Sequence, residues 1–355
     1  MLRLDFETPE MAGGGDALPI KEIERHCSSF KGADTWRSVF QLVTTLALFA
    51  VTLALMIYGM EISFWIPAAL LLPAAGLLTR IFTLQHDCGH GSFFNSKTAN
   101  DWTGRILAVL TVTPYDFWRR AHNKHHATSG DLDRRSIGGI DTITVREYQN
   151  MPKWQQRAYR IYRNPFVLLM FGTPFYVMVL QRLPFNQGTG FYPNYQTLSA
   201  SSIWKSIMLT NLSIVVFFGV LGTLVGIGPL LAVYIPVLIV TSWIGGWLFY
   251  IQHQFEDTYW AENKDWDIHE AALLSSSYFE LPKVLQWFTG NIGLHHIHHL
   301  CSGIPNYKLQ ACMDARPELK TINKLTLRES LKCPSLKLWD ENLKKLVGFH
   351  QVESV

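Results

Sequence analysis

Histidine is the residue type whose placement in this chain points to chemistry. Thirteen occur in 355 residues, and ten of them fall into three tight groups and one single position. His86-Asp87-Cys88-Gly89-His90 sets two imidazoles four residues apart. His122-Asn123-Lys124-His125-His126 and His295-His296-Ile297-His298-His299 each contain the pattern HxxHH. Residues three and four apart share one face of a helix. Each HxxHH therefore turns three imidazoles toward one point (His122, His125 and His126; His295, His298 and His299), and His86 with His90 adds a pair. Random placement at this histidine frequency gives roughly 0.02 occurrences of HxxHH, against the two in this chain.

Clustered imidazoles are the donors of iron, copper, zinc and nickel, whereas magnesium and calcium favour oxygen. Together with His253, in LFYIQHQFED, the groups offer nine candidate ligands. Nine are too many for one ion and fit two adjacent ions with four or five imidazoles each. A redox-capable pair at an apolar boundary suggests oxygen activation, which zinc does not offer. HExxH is absent, which disfavours a zinc peptidase.

The elements that carry these groups are apolar. Ser38 to Met60 and Ile62 to Thr79 are uncharged runs joined by a short turn at Gly59, and Ser206 to Phe255 is a stretch of 50 residues without Asp, Glu, Lys or Arg. A helix rises ~1.5 Å per residue and a bilayer core is ~30 Å thick, so the first two runs form one transmembrane hairpin and the third folds into a second. Pro67 and Pro73 are expected to kink the second span. The spans are expected near 38–60, 62–82, 206–226 and 229–251, with VGIGP turning the second hairpin. Asn164 to Gln181, broken by Pro165, Gly172 and Pro174, is read as interfacial or re-entrant. Twelve Lys or Arg lie between His86 and Asn164 and none in the two short turns. The positive-inside rule therefore puts both termini and the histidine groups in the cytoplasm. His86 stands one helical turn beyond the second span and His253 at the end of the fourth, so all the groups meet in one plane at the membrane surface.

The fold class expected is thus all-α and integral to the membrane: four transmembrane helices in two hairpins, with a cytoplasmic helical cap holding a histidine-rich two-metal site. Residues 1–37 form an N-terminal segment, 38–315 the functional domain and 316–355 a C-terminal tail. The composition agrees, with 48% hydrophobic and 17% charged residues, where soluble domains carry about 25% charge. A net charge of +3 does not point to nucleic acid, five cysteines without CxxC spacing do not form a disulfide or zinc-ribbon framework, and MLRLDFETPEMAGGG lacks the apolar core of a signal peptide.

HDCGH, WRRAHNKHHATSGDLDRR and TGNIGLHHIHHLCSGIPNYKL together resemble the three histidine boxes of membrane fatty acid desaturases. The match covers roughly residues 35–315 in order and spacing, and the chain is most similar to the acyl-lipid branch with Δ12 (omega-6) and Δ5 enzymes. The resemblance implies two non-haem iron ions that use O2 and two electrons to convert CH2–CH2 in an acyl chain into CH=CH. It assigns the metals to His86, His90, His122, His125, His126, His295, His298 and His299, with His253 as the ninth ligand and His296 at a variable place in the third box. Asn291, one turn before His295, is the candidate to hold a metal-bound water. The resemblance further implies an acyl-lipid substrate in the bilayer and a separate electron donor of ferredoxin or cytochrome type, since the chain shows no flavin or cytochrome-like domain.

Abstracting hydrogen from an unactivated methylene is beyond any side-chain acid or base, so the metals must carry that step. Carboxylates that orient ligand rings are sought at Asp87, Asp131, Asp133, Asp141 and Glu256. Phe93, Phe94, Tyr115, Phe117 and Trp118 flank the boxes and are candidates to line an acyl tunnel, or simply to fill the core. Arg119, Arg120, Arg134 and Arg135 serve as positive-inside charge, with lipid phosphate or an acidic electron carrier as the alternative. His26, His269 and His350 are isolated, and Cys88 packs as a small apolar residue. The nearest rival is a di-iron hydroxylase or ketolase acting on a carotenoid, sterol or alkane, which shares the same first abstraction. A membrane metal transporter would place histidines or acids inside the spans, and these spans have none.

Overall fold

The computed structural model describes residues 19–136, 138–184, 190–192 and 198–352. After a short α1 (Ile20–Ser28) come two long apolar helices, α2 (Thr35–Gly59) and α3 (Trp65–His90), followed by α4 (Lys97–Leu110) and α5 (Tyr115–Thr128). Strand β1 (Ile143–Thr144), α6 (Val145–Asn150) and α7 (Lys153–Tyr162) lead to a π-helical turn at Phe166–Gly172 and to α8 (Thr173–Met178). The second long pair is α9 (Ala200–Val225) and α10 (Ile227–His253). Short elements finish the chain: α11 (Ile268–Leu274), β2 (Tyr278–Phe279), α12 (Lys283–Phe288), α13 (His295–Leu300), α14 (Asn306–Asp314), β3 (Lys324–Leu325), β4 (Leu338–Asp340) and β5 (Lys345–Val347).

Among the described residues, four helices are long and apolar enough to cross a membrane, and they stand where the charge-free runs predict them. Asp34 caps α2 by accepting the N–H of Arg37. Pro67 sits in the first turn of α3, where no backbone donor is needed, and only Pro73 lies in its interior. The uncharged run closes at Arg80 and the span is expected to end near 82, and helix α3 continues past both. The Arg80 side chain, 5% exposed, donates to Thr45 Oγ1 at 3.1 Å, to Gln41 Oε1 at 2.7 Å and to the Trp287 carbonyl, and stacks on the Trp287 ring. With that charge satisfied, the helix runs on to His90. Gly91, in the left-handed conformation at φ 71°, ends it.

Helix α3 is the centre of the bundle. Half of its apolar window is buried, against 11% in α9, which faces outward over most of its surface. Leu78, Ile81 and Leu84 of α3 pack with Phe49 and Met56 of α2, Val233 and Val237 of α10, and Leu107 and Tyr115 from α4 and α5. Gly226, at φ 84°, is the only residue between α9 and α10, so they form a tight antiparallel hairpin.

The segment expected to be interfacial or re-entrant forms a bent pair, 153–162 with 166–182, broken by 59°. Helices α3 and α10 end side by side in the histidine cluster described below. Helix α9, antiparallel to α10, therefore starts on the same side as α3 ends. The chain from 91 to 199 must leave and return on one side, so the bent pair makes no single net crossing. The non-spanning residues form a cap of short helices stapled by two small sheets: β1 pairs parallel with β4 and β4 antiparallel with β5, while β2 pairs parallel with β3. Residues 316–352 are part of this cap, with Leu338, Trp339, Leu346 and Val347 buried.

Close packing of α4 on α5 gives a test. A Cβ at Gly104 would overlap the Tyr115 ring, whereas one at Gly219 in α9 would meet nothing within 4 Å. Gly104→Leu is expected to cost about 1–3 kcal/mol, seen as a lowered unfolding temperature in detergent, and Gly219→Leu to leave that temperature unchanged.

Candidate metal centre

Every one of the nine predicted ligands reaches the same place. His86, His90, His122, His126 and His298 form one group, and His125, His253, His295 and His299 a second, the ligand atoms of each group lying within 4.8 Å of one another. The motifs do not map one to one onto the groups. In α5, His122 and His126, a full turn apart, enter the five-histidine group while His125 crosses to the other. In α13, His295 and His299 enter the four-histidine group while His298 crosses back. Each HxxHH thus contributes to both groups, and rings interleave between them: those of His126 and His299 stack at 3.9 Å.

The nitrogens face one another in a way that suits a cation. His122 Nε2 lies 3.0 Å from His86 Nε2 and 3.1 Å from His126 Nε2. His253 Nε2 lies 3.0 Å from His125 Nε2 and 3.1 Å from His295 Nε2. Two nitrogens bound at ~2.1 Å to one ion at right angles are ~3.0 Å apart, so these separations are those of ligand pairs. Among the described residues, His90 Nε2, His298 Nε2 and both nitrogens of His299 are buried without a hydrogen-bond partner. Each such group costs about 1–3 kcal/mol to bury unpaired, a cost that a shared metal ion removes for the one nitrogen of each ring that binds it. Burial, reinforced by the neighbouring imidazoles, holds His122, His125, His126, His295, His298 and His299 well below the usual histidine range. The rings are therefore neutral near pH 7, the form a metal requires. The residues present fit a pair of transition-metal ions.

The surroundings fix the rings. His253 Nδ1 meets the Ser275 carbonyl at 3.0 Å, which sets its proton there and turns Nε2 to the cluster. The Trp118 ring stacks on His122, 14° from parallel with centroids 4.7 Å apart. Gly89 makes room for it, since a Cβ there would lie 2.8 Å from the indole. Asp87 Oδ1 lies 3.5 Å from His86 Nδ1, and Asp87 Oδ2 accepts the backbone and side-chain N–H groups of Asn306, both at 2.8 Å. The other carboxylates considered are engaged elsewhere: Asp131 with Arg134 and Asn263, Asp133 with the backbone of Asn263, Asp141 with Tyr192, Glu256 with Lys345.

Asn291 occupies a left-handed turn (φ 58°), and its side-chain nitrogen donates to the Asn306 carbonyl at 3.0 Å. His296 points away from the cluster to the Leu319 carbonyl at 2.9 Å, and burial pushes it down to about 4 while that carbonyl pulls it up. His26 bonds to Cys312 O, and the half-buried His269 lies by Glu24. Phe93, Phe94 and Tyr115 belong to the bundle core and Phe117 packs against Ile203 and Ile207. Arg119 pairs with Asp101 and Asp116, Arg134 with Asp131 and Arg135 with Glu147. Sequence reasoning missed Ser275, which acts through a backbone carbonyl and leaves no side-chain signal. It also passed over Asn306, whose signal was its place beside Pro305 in the extended third motif.

His253→Ala is expected to lower bound metal by about one ion per chain with the protein still folded, because it removes one of the four nitrogens in its group. His269→Ala is expected to keep full metal content; elemental analysis of purified protein checks both.

Comparison with known proteins agrees with this geometry. The family model described as "Fatty acid desaturase" matches residues 62–327. A protein named fatty acid desaturase from Bacillus subtilis (strain 168) is 38% identical over 335 residues, covering 94% of this chain and 92% of the relative. The sn-1 acyl-lipid omega-3 desaturase (ferredoxin) of Synechocystis sp. is 29% identical, covering 67% of this chain and 64% of the relative. The chloroplastic sn-2 acyl-lipid omega-3 desaturase (ferredoxin) of Helianthus annuus is 28% identical, covering 89% and 70%.

Proposed function

The chain belongs to the fatty acid desaturase family and is an oxidoreductase, and from that premise we propose that it introduces a cis double bond into the acyl chain of a membrane glycerolipid. The reaction uses O2 and two electrons at a pair of non-haem iron ions. The observation that carries this reading is the set of nine histidines, divided five and four, at the common end of four apolar helices. When bound, the iron pair supplies the oxidising power to take hydrogen from an unactivated methylene.

The protein's own residues hold and insulate that centre. His86, His90, His122, His126 and His298 bind one ion, and His125, His253, His295 and His299 bind the other. The second group has one ligand fewer, and Asn291, whose amide nitrogen donates to the Asn306 carbonyl, is the candidate to hold a metal-bound water. Ser275 orients His253, and the Asp87 carboxylate stands 3.5 Å from His86 Nδ1. The buried site keeps bulk water from the reacting carbons, and Trp118, stacked on His122, borders it on the side of α3.

Residues 38–315 contain every proposed ligand, flanked by 1–37 and 316–355. The twelve basic residues between His86 and Asn164 support a cytoplasmic location for the cap and both termini. The names of the Synechocystis and Helianthus relatives support a glycerolipid substrate and an iron–sulfur donor of ferredoxin type. Those names carry omega-3, while the histidine-box resemblance points to Δ12 or Δ5 chemistry, so the double-bond position is for the experiment to read.

Expression in a bacterial host with a ferredoxin donor, followed by gas chromatography–mass spectrometry of total fatty acids, is expected to reveal a new unsaturated acid. It should be absent with His298→Ala, and adduct fragmentation locates the bond. Iron-loaded protein that yields hydroxylated or keto products in its place would overturn the desaturase reading.

A further inference from the structure

A cavity opens beside the four-histidine group, its lining mixing hydroxyls and N–H donors with Ile140, Tyr192 and Phe249. It runs from exposed Gly139, in the loop after α5, to buried His125 and His253. Its walls carry paired hydroxyls: Thr128 Oγ1, which also donates to the Lys124 carbonyl at 3.0 Å, lies 3.0 Å from Ser136 Oγ, and Ser129 Oγ lies 2.8 Å from Ser275 Oγ, where either oxygen can donate. Two more donors belong to residues of the same lining. Arg135 Nε and Trp260 Nε1 are buried and have no acceptor among the described residues, although the Arg135 side chain is only 10% exposed and its terminal nitrogens hold Glu147. Phe249 lies against the His125 and His253 rings on this side, with centroids 5.4 and 5.5 Å away, and Trp118 and Phe82 border the five-histidine group.

The stoichiometry of desaturation fixes what such an opening must pass. To become two waters, O2 takes up four electrons and four protons. Breaking one C–H bond on each of two adjacent methylenes gives two of those electrons and two of the protons as the C=C bond forms. A one-electron iron–sulfur carrier gives the other two electrons in successive deliveries. The last two protons come from solvent, and two waters leave. An apolar acyl tunnel can do neither task.

We propose that this cavity is the hydrated route for protons into the centre and for water out of it, with the Thr128–Ser136 and Ser129–Ser275 hydroxyl pairs as the relay. The proposal rests on the desaturase reading above. A hydroxyl passes a proton without carrying net charge, by accepting one hydrogen bond while donating another. Arg135 Nε and Trp260 Nε1 supply the further partners that an ordered water needs, typically two to four in all. Keeping this route on the four-histidine side separates solvent from the acyl chain.

The test uses full-length, iron-loaded protein in lipid nanodiscs with reduced ferredoxin. Thr128→Val and the double variant Ser129→Ala/Ser275→Ala remove hydroxyls with little change in shape. Gly139→Leu fills the mouth, where a Cβ would have only ordinary contacts, 3.9 Å from His125 Nδ1 and 3.9 Å from Ser136 O. With iron content and the KM for lipid unchanged, each variant is expected to lose kcat several-fold and to show a larger rate ratio between H2O and D2O. Without turnover, azide binding to the iron, followed by its absorption band, is expected to slow several-fold in Gly139→Leu. Unchanged isotope ratios and azide rates would overturn the route. So would a rise in the KM for lipid alone, which would make the cavity a cradle for the lipid's polar head. A parent protein that makes no unsaturated product fails the desaturase reading instead, and the azide rates then decide the cavity alone.

Discussion

Nine imidazoles packed at the end of an apolar bundle, with Nε2 atoms 3.0–3.1 Å apart, impose the condition on which the other features depend. Bare, the arrangement is costly: nitrogens on His90, His298 and His299 are buried without a partner. It closes only when cations occupy both groups and the rings are neutral. Burial favours the neutral ring at His122, His125, His126, His295, His298 and His299, because it penalises imidazolium more than imidazole. The same burial that makes the site expensive to assemble also prepares it for metal.

The long helices act as rulers for this centre. Helix α3 crosses the bilayer and then, without interruption, delivers His86 and His90. Helix α10 delivers His253 at its last residue. Helix α5 lies across their ends, and the six-residue α13 is too short to hold its own direction. The cap supplies that direction: Leu294, just before α13, bridges to Tyr278, Asn306 beyond it ties down to Asp87 in α3, and His296 is anchored to Leu319. A ligand helix borrowing its rigidity from both ends explains why the elements after α10, including the small parallel pair β2–β3, are folded onto the centre.

Much of this was legible in the sequence because metal binding and membrane crossing both leave periodic marks. HxxHH and HxxxH identify residues that share a helix face, and charge-free runs identify spans, so eight of the nine clustered histidines and the four long helices follow from spacing, and His253 follows from its place at the end of the fourth span. The division of ligands between two groups does not. Positions i, i+3 and i+4 lie on one face but fan across it, and only the relative placement of α5 and α13 sends His125 and His298 across to the opposite group. The end of α3 was hidden for a related reason. Arg80 reads as a boundary in a charge count, yet Gln41, Thr45 and the Trp287 carbonyl satisfy it, and those partners are remote in sequence. Ser275 and Leu319 act through backbone carbonyls, which any residue type supplies.

The central claim is that these imidazoles hold two iron ions in unequal sites. Purified protein grown on 57Fe and examined by elemental analysis with Mössbauer spectroscopy tests it most directly. Two iron per chain in two distinguishable quadrupole doublets of equal area is the result expected of a five- and a four-imidazole site. One iron per chain, or zinc in place of iron in protein that desaturates lipid, would contradict it.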